Sequence, residues 1–422
     1  MTRRPPGPSG RTSGPNRGTA ALTVAAVLAG VLLLPATPAL ADTPTPAASP
    51  SEATTLPGLA QSLTDYQQNG CRKPSEQTTT RMPWPQTYLR PEAAWPLSQG
   101  AGVTVAVLGS GVDDTAGVLG PRLTVGPRQY DAGPAADCVG HGTFAAGLIA
   151  AARRPGVGFA GLAPQAGILA IGVTDQAGTT NGGLLAGGIR AAADAGARII
   201  AVVAATPAAS AELADAVRYA QARGALLIAP AGSDSGWQGQ AYPAGYPGVL
   251  SVAAIGPGGT QKQGLAADIR VDLVAPGESV MSTGPGGKGY YTATGPSYAA
   301  ALVAGSAALV LGYRPDLTGD QLAHRLEATA YHSGGAVPDP KLGYGTVDPV
   351  AAVTAVLPGE QAGGAPRPTA PGTPLAMPPD TGRSAASDGY AVSAGALGAA
   401  LLVAGAAAVV PRGRKRRWRP GE

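Results

Sequence analysis

Phenylalanine is almost missing from this chain: it occurs twice in 422 residues. Any core must therefore be built from alanine, valine, leucine and isoleucine. Charge is scarce as well, at 13% of residues against 44% hydrophobic, which leaves enough apolar material for a sizeable buried core. Two cysteines allow one disulfide at most, and three histidines leave few candidates for a general base. The 63 glycines and 41 prolines, by contrast, imply many turns and at least one unstructured stretch.

The two ends differ from the middle. Residues 1–41 read as a signal peptide. Arg3, Arg4, Arg11 and Arg17 form a basic start, an apolar run spans Ala20 to Leu34, and Ala39-Leu40-Ala41 supplies small residues for cleavage before Asp42. At the other end, the uncharged run Ala391 to Val410 predicts a transmembrane helix. About 20 residues at ~1.5 Å each span roughly 30 Å, the thickness of a bilayer core. The basic tail 411–422, with Arg412, Arg414, Lys415, Arg416, Arg417 and Arg419, is expected in the cytoplasm. The main domain would then lie outside the cell, held by a single C-terminal span. The formal net charge of +4 belongs to these tails, because residues 42–390 carry more acidic than basic side chains. It argues for membrane topology and against a nucleic-acid partner. In an exported chain, Cys71 and Cys138 are expected to pair, and closing that loop contributes on the order of 4 kcal/mol in the loop-entropy picture.

Residues 42–81 form an N-terminal extension that opens on a Pro/Ser/Thr-rich stretch. From Met82 to about Val356, strands alternate with helices. "VTVAVLG" (103–109), "AGILAIGV" (166–173), "ARIIAVVAA" (197–205), "ALLIAPAG" (225–232), "VLSVAAIG" (249–256) and "VDLVAPG" (271–277) read as strands. "HGTFAAGLIAAA" (141–152), "NGGLLAGGIRAAADAG" (181–196), "SAELADAVRYAQARG" (210–224) and "PSYAAALVAGSAALVLGY" (296–313) read as helices. Each strand is a continuous apolar run. That implies an α/β fold with a mostly parallel sheet covered by helices on both faces, and sites at the carboxyl ends of its strands. Residues 357–390 form a Pro/Gly-rich linker. Within it "PPDTG" (378–382) approaches a wall-sorting signal but lacks that signal's leucine.

The glycine turn after the first strand, Gly109-Ser110-Gly111, invites comparison with a phosphate cradle. A dinucleotide fingerprint needs a third glycine where Asp114 stands, and an anion there would repel phosphate. No cofactor and no metal are expected. Nucleophilic catalysis fits better. His141 sits in "DCVGHGTFAAG" at a helix start between glycines, open to a ligand. Ser297 sits in "GPSYAAALVAG" at the start of a buried apolar helix, where the helix dipole and its own N–H can stabilise an oxyanion. His324 and His332 have no comparable setting and read as surface residues.

"HGTFAAG" and "GPSYAAALVAG" resemble the histidine and serine blocks of the subtilisin family, over about residues 82–355. "MPWPQTYLRPEAAWPLSQGAGVTVAV" and "DCVGHGT", with the two end segments, resemble the mycosins, membrane-anchored subtilisin-like proteases of type VII secretion systems. The resemblance implies a three-layer subtilisin-like fold, a serine-type endopeptidase with His141 and Ser297 as catalytic residues, and a polypeptide or exported protein as ligand. A type VII secretion membrane complex is the implied partner.

The departures carry as much information. Gly109 stands where the family's triad aspartate orients the histidine. Ser233 stands at the oxyanion asparagine's place, Ala301 at a proline's, and Val203-Ala204-Ala205 at the substrate-pairing Ser-Leu-Gly. In a measured subtilisin, loss of the triad aspartate costs about 10⁴-fold in kcat. Loss of one oxyanion donor costs about 10²–10³-fold. The expectation is a catalytically impaired homologue, a pseudoenzyme with a structural or binding role; the alternative is a slow endopeptidase using His141 and Ser297. Asp137, four residues before the histidine, is a better substitute for the lost carboxylate than Asp113 or Asp114.

Overall fold

In the computed structural model the described residues are 56–360, except 61–62, 131–135, 238, 262–264, 267, 333 and 359. The expected signal peptide, most of the linker, the 391–410 span and the basic tail lie outside the described residues.

A sheet of seven strands forms the middle layer: β1 (Thr104–Gly109), β2 (Leu123–Arg128), β3 (Gly167–Gly172), β4 (Ile199–Val202), β5 (Leu226–Pro230), β6 (Val249–Ile255) and β7 (Leu273–Pro276). Their order is β2-β3-β1-β4-β5-β6-β7, and every pairing is parallel. A separate antiparallel hairpin is made by β8 (Val280–Thr283) and β9 (Tyr290–Ala293). The helices are α1 (Leu63–Asn69), α2 (Trp84–Leu89), α3 (His141–Ala150), α4 (Gly182–Asp194), α5 (Ala211–Ala222), α6 (Pro296–Tyr313), α7 (Gly319–Ala328) and α8 (Pro349–Thr354).

The period-2 alternation of the strands divides the core into two layers. Val105 and Val107 of β1 pack with Ile168, Ile199, Ala201, Ile228 and Val252 against α3 and α6. Ala106 and Leu108 pack with Ile171, Ile200, Val202 and Leu227 against Leu185 and Ile189 of α4 and Leu213 and Val217 of α5. Because both faces are covered, the strands need continuous apolar sequence. Helix α6 is apolar enough and long enough to cross a membrane, yet most of it is buried in the domain, where it serves as the central core helix.

The outer helices carry local start signals. Asn181 accepts from the Leu184 N–H, Ser210 accepts from the Leu213 N–H, and Thr318 forms a capping box with Gln321. Besides the short helices α1, α2 and α8 and the amphipathic α7, two kinds of strand escaped the sequence pattern. β2 is an exposed edge strand with Gly126 and Pro127 inside it and a register shift between Val125 and Arg128, so it lacks an apolar run. β8 and β9 are four residues each and are joined by the glycine-rich segment 284–289.

Part of the N-terminal extension is stitched to the domain. The Leu59 N–H donates to the Thr292 carbonyl and the Thr292 N–H to that of Pro57, while Gly289 and Tyr290 donate to Ser75 and Gln77. Cys71 and Cys138 are disulfide-bonded, as expected, with Cα atoms 4.5 Å apart. The extension is thereby tied to the loop that leads into α3.

Candidate active site

From β1 the chain crosses to β2 and then β3 on one side and later to β4 on the other. The carboxyl end of β1 is therefore a switch point, where the loops diverge and leave a crevice. The crevice holds a cleft of about 700 Å³. Gly109 ends β1 there, the α3 and α6 N-termini point into it, and the segments after β4 and β5 form its walls. His141 and Asp234 are the charged or basic side chains lining it among the described residues.

His141 is the first residue of α3. Gly140 before it has φ +81°, the left-handed region that favours glycine, and a Cβ there would lie 2.5 Å from Pro285 Cδ. Asp137 caps this helix start. Its carboxylate accepts from the Gly140 N–H at 2.8 Å, the Thr143 N–H at 2.9 Å and the Thr143 hydroxyl at 2.6 Å. Burial pushes its pKa up, opposed by hydrogen bonds from Thr143, Ser110 and Gly140. Asp137 therefore holds the turn before His141 and makes no bond to the imidazole, which removes it as a substitute orienting carboxylate. Asp114 accepts from the N–H groups of Val118, Leu119 and Gly120, and Asp113 from that of Thr115, so both serve their own loop.

Ser297 is the second residue of α6, after Pro296 at the first helical position. Its Oγ lies 3.0 Å from His141 Nε2. Sequence motifs 156 residues apart thus meet in nucleophile–base geometry. The Tyr298 ring stacks at 5.0 Å from the imidazole. Burial, reinforced by Asp234 and Asp137, holds the Tyr298 phenol well above its ordinary pKa, so it stays protonated.

At the end of β1, Gly109 carries no side chain and has little room for one. A Cβ built on Gly109 would sit 2.9 Å from Val203 Cγ2 and 3.5 Å from Gly142 Cα. Both hydrogen bonds of the His141 ring are made through Nε2. Val203, Ala204 and Ala205 line the cleft wall.

The oxyanion side departs from expectation. The Ser233 hydroxyl is bonded to Ser235, whose N–H and Oγ lie at 3.0 and 2.7 Å. It is Asp234, which stands in no recognisable motif, that reaches Ser297. Asp234 Oδ1 accepts from the Ser297 N–H at 3.1 Å, and Oδ2 accepts from the Ser297 hydroxyl and lies 2.7 Å from His141 Nε2. Gly295 makes room for it, since a Cβ there would collide with Oδ1. The only signal in the sequence was an acid directly after Ser233 in a glycine-bounded loop. His324 and His332 are exposed and remote from the cleft lining.

Residues 100–345 match the subtilase family of peptidases. The chain belongs to the subtilase family. Its similarity to mycosins runs over most of its length. It is 34% identical to mycosin-3 of Mycobacterium tuberculosis, across 79% of this chain and 84% of that one. It is 32% identical to mycosin-1 of the same organism, across 79% and 86%. Among solved structures, MycP1 with its N-terminal propeptide removed matches with a TM-score of 0.57 at 34% identity, covering 66% of this chain and 98% of that chain. A chain of the periplasmic assembly from the ESX-5 inner membrane complex matches with a TM-score of 0.61 at 28% identity, covering 73% and 92%. This subtilase domain is therefore of mycosin type, with the helix–sheet–helix layers described above.

Proposed function

We propose that this mycosin-type subtilase is catalytically impaired and acts as a structural and polypeptide-binding part of a type VII secretion membrane complex. The observation that carries the reading is the end of β1. Without a carboxylate at Gly109, nothing there holds the imidazole in the tautomer that accepts a proton from Ser297. A side chain there would start 2.9 Å from Val203 Cγ2, so even its Cβ needs Val203 to shift. The cleft itself is kept, with a volume suited to an extended peptide. The relationship to mycosins and to a chain of the ESX-5 periplasmic assembly supports the choice of partner. The 391–410 span and its basic tail supply the anchor, with the subtilase domain outside the cell and the C-terminus cytoplasmic.

The second reading, a slow serine endopeptidase acting on exported proteins, is favoured by the 3.0 Å separation of His141 Nε2 and Ser297 Oγ. Fluorophosphonate labelling of the membrane-embedded full chain decides between them. The impaired reading expects negligible modification of Ser297 and secretion that survives Ser297→Ala but not deletion of the chain. Rapid labelling that His141→Ala abolishes would overturn it.

A further inference from the structure

Loss of the triad aspartate explains a weak base. It does not explain why Ser297 is only 1% exposed at the floor of an open cleft. Asp234 lies directly on it, bonded to both its N–H and its hydroxyl. A substrate carbonyl oxygen entering this site has to accept the Ser297 N–H, and that N–H is already given to Asp234 Oδ1. The serine hydroxyl is already given to Oδ2.

The third contact is the most telling. A carboxylate only accepts hydrogen bonds, so the 2.7 Å contact with His141 requires the proton on Nε2. In the neutral ring the lone pair is then on Nδ1, facing away from Ser297. The nitrogen that should take the serine proton is occupied by a competitor for it. Asp234 cannot replace the lost triad aspartate, because an orienting carboxylate belongs on Nδ1. It would also place a negative charge beside the oxyanion that forms on attack, where the chemistry needs a donor.

We propose that Asp234 is a resident anion in the oxyanion position, and that it is the residue that keeps Ser297 from reacting. It occupies the place that the carboxylate of a cleaved peptide would take, bonded to the serine N–H, the serine hydroxyl and the imidazole. Polypeptides can lie in the cleft, but their carbonyl groups do not reach the nucleophile. This inference rests on the impaired-enzyme reading and adds a second, independent cause for it.

The experiment compares Ser297 modification by a fluorophosphonate in the full chain, with the modified residue assigned by mass spectrometry. The wild type, Asp234→Asn, Asp234→Ala and Asp234→Asn with Ser297→Ala are measured. Asp234→Asn removes the charge and offers a donor, so labelling is expected to rise about tenfold or more, up to the roughly 10²–10³-fold that one oxyanion donor contributes. Asp234→Ala frees the N–H without adding a donor and is expected to give a smaller rise. The Ser297→Ala variant should show no labelling. Labelling that is unchanged or slower in both single variants overturns the inference, and slower labelling would mean that Asp234 assists Ser297. The two readings fail separately. A slow wild type with equally slow variants removes the role of Asp234 alone. A fast wild type with still faster variants removes the impaired reading and leaves that role standing.

Discussion

Placing an aspartate at residue 109 tests whether the end of β1 can still take a carboxylate. The Cβ of such a side chain meets Val203 Cγ2 at 2.9 Å and Gly142 Cα at 3.5 Å, so Val203 must give way. Gly109→Asp is therefore expected to destabilise the protein by about 2 kcal/mol or more and to leave Ser297 unreactive. Adding Val203→Ser should recover part of that stability. A double-mutant cycle on thermal melts is expected to give a favourable coupling of about 1–2 kcal/mol. Additive costs would show that Val203 does not obstruct the new side chain. His141, Ser297 and Gly109 were legible as residues because their flanking motifs are local. Asp234 was not, because its contact depends on how a loop after β5 closes over the start of α6.

At the scale of elements, the start of α3 depends on one carboxylate from outside the helix. Gly140 offers no side chain, so Asp137 takes the N–H groups of Gly140 and Thr143. Asp137→Ala would strand these buried donors and is expected to cost about 2–4 kcal/mol, measured by denaturant unfolding. A cost below about 0.5 kcal/mol would show that water replaces it. The buried elements could be read from sequence because they are continuous apolar runs. β1, β3, β5 and β6 fall within a residue or two of the segments expected for them. β4 is shorter than its expected segment, ending at Val202, because residues 203–205 leave the sheet to line the cleft. The edge strand β2 and the β8–β9 hairpin stayed invisible for the opposite reason, since their pairing is set by tertiary neighbours.

For the whole molecule, pH acts on stability through Glu327, which does not line the cleft. Glu327 on α7 is half-buried near Asp272, and burial first, then the Asp272 charge, raises its pKa from 4.5 to about 7, with Arg270 opposing. Because the folded value is raised, the favourable protonated form is retained at acid pH. Its contribution is lost as pH rises from about 4.5 through about 7. Glu327→Gln should melt like the wild type at pH 4 and above it at pH 8, by about 1–2 kcal/mol after allowance for solvent screening. Equal melting at both ends would remove Glu327 as the source. The architecture as a whole was legible because alternating apolar strands and helices admit few arrangements. The route of the extension over β9 was not, since it uses backbone hydrogen bonds that any sequence can make.

The disulfide between Cys71 and Cys138 also changes what cutting this chain means. Every peptide bond from Cys71 to Cys138, including those leading into β1 and through β2, lies inside a covalent ring. A single nick there opens the ring and releases nothing: the fragment bearing the extension and the fragment bearing His141 and Ser297 remain one molecule until the sulfurs are reduced.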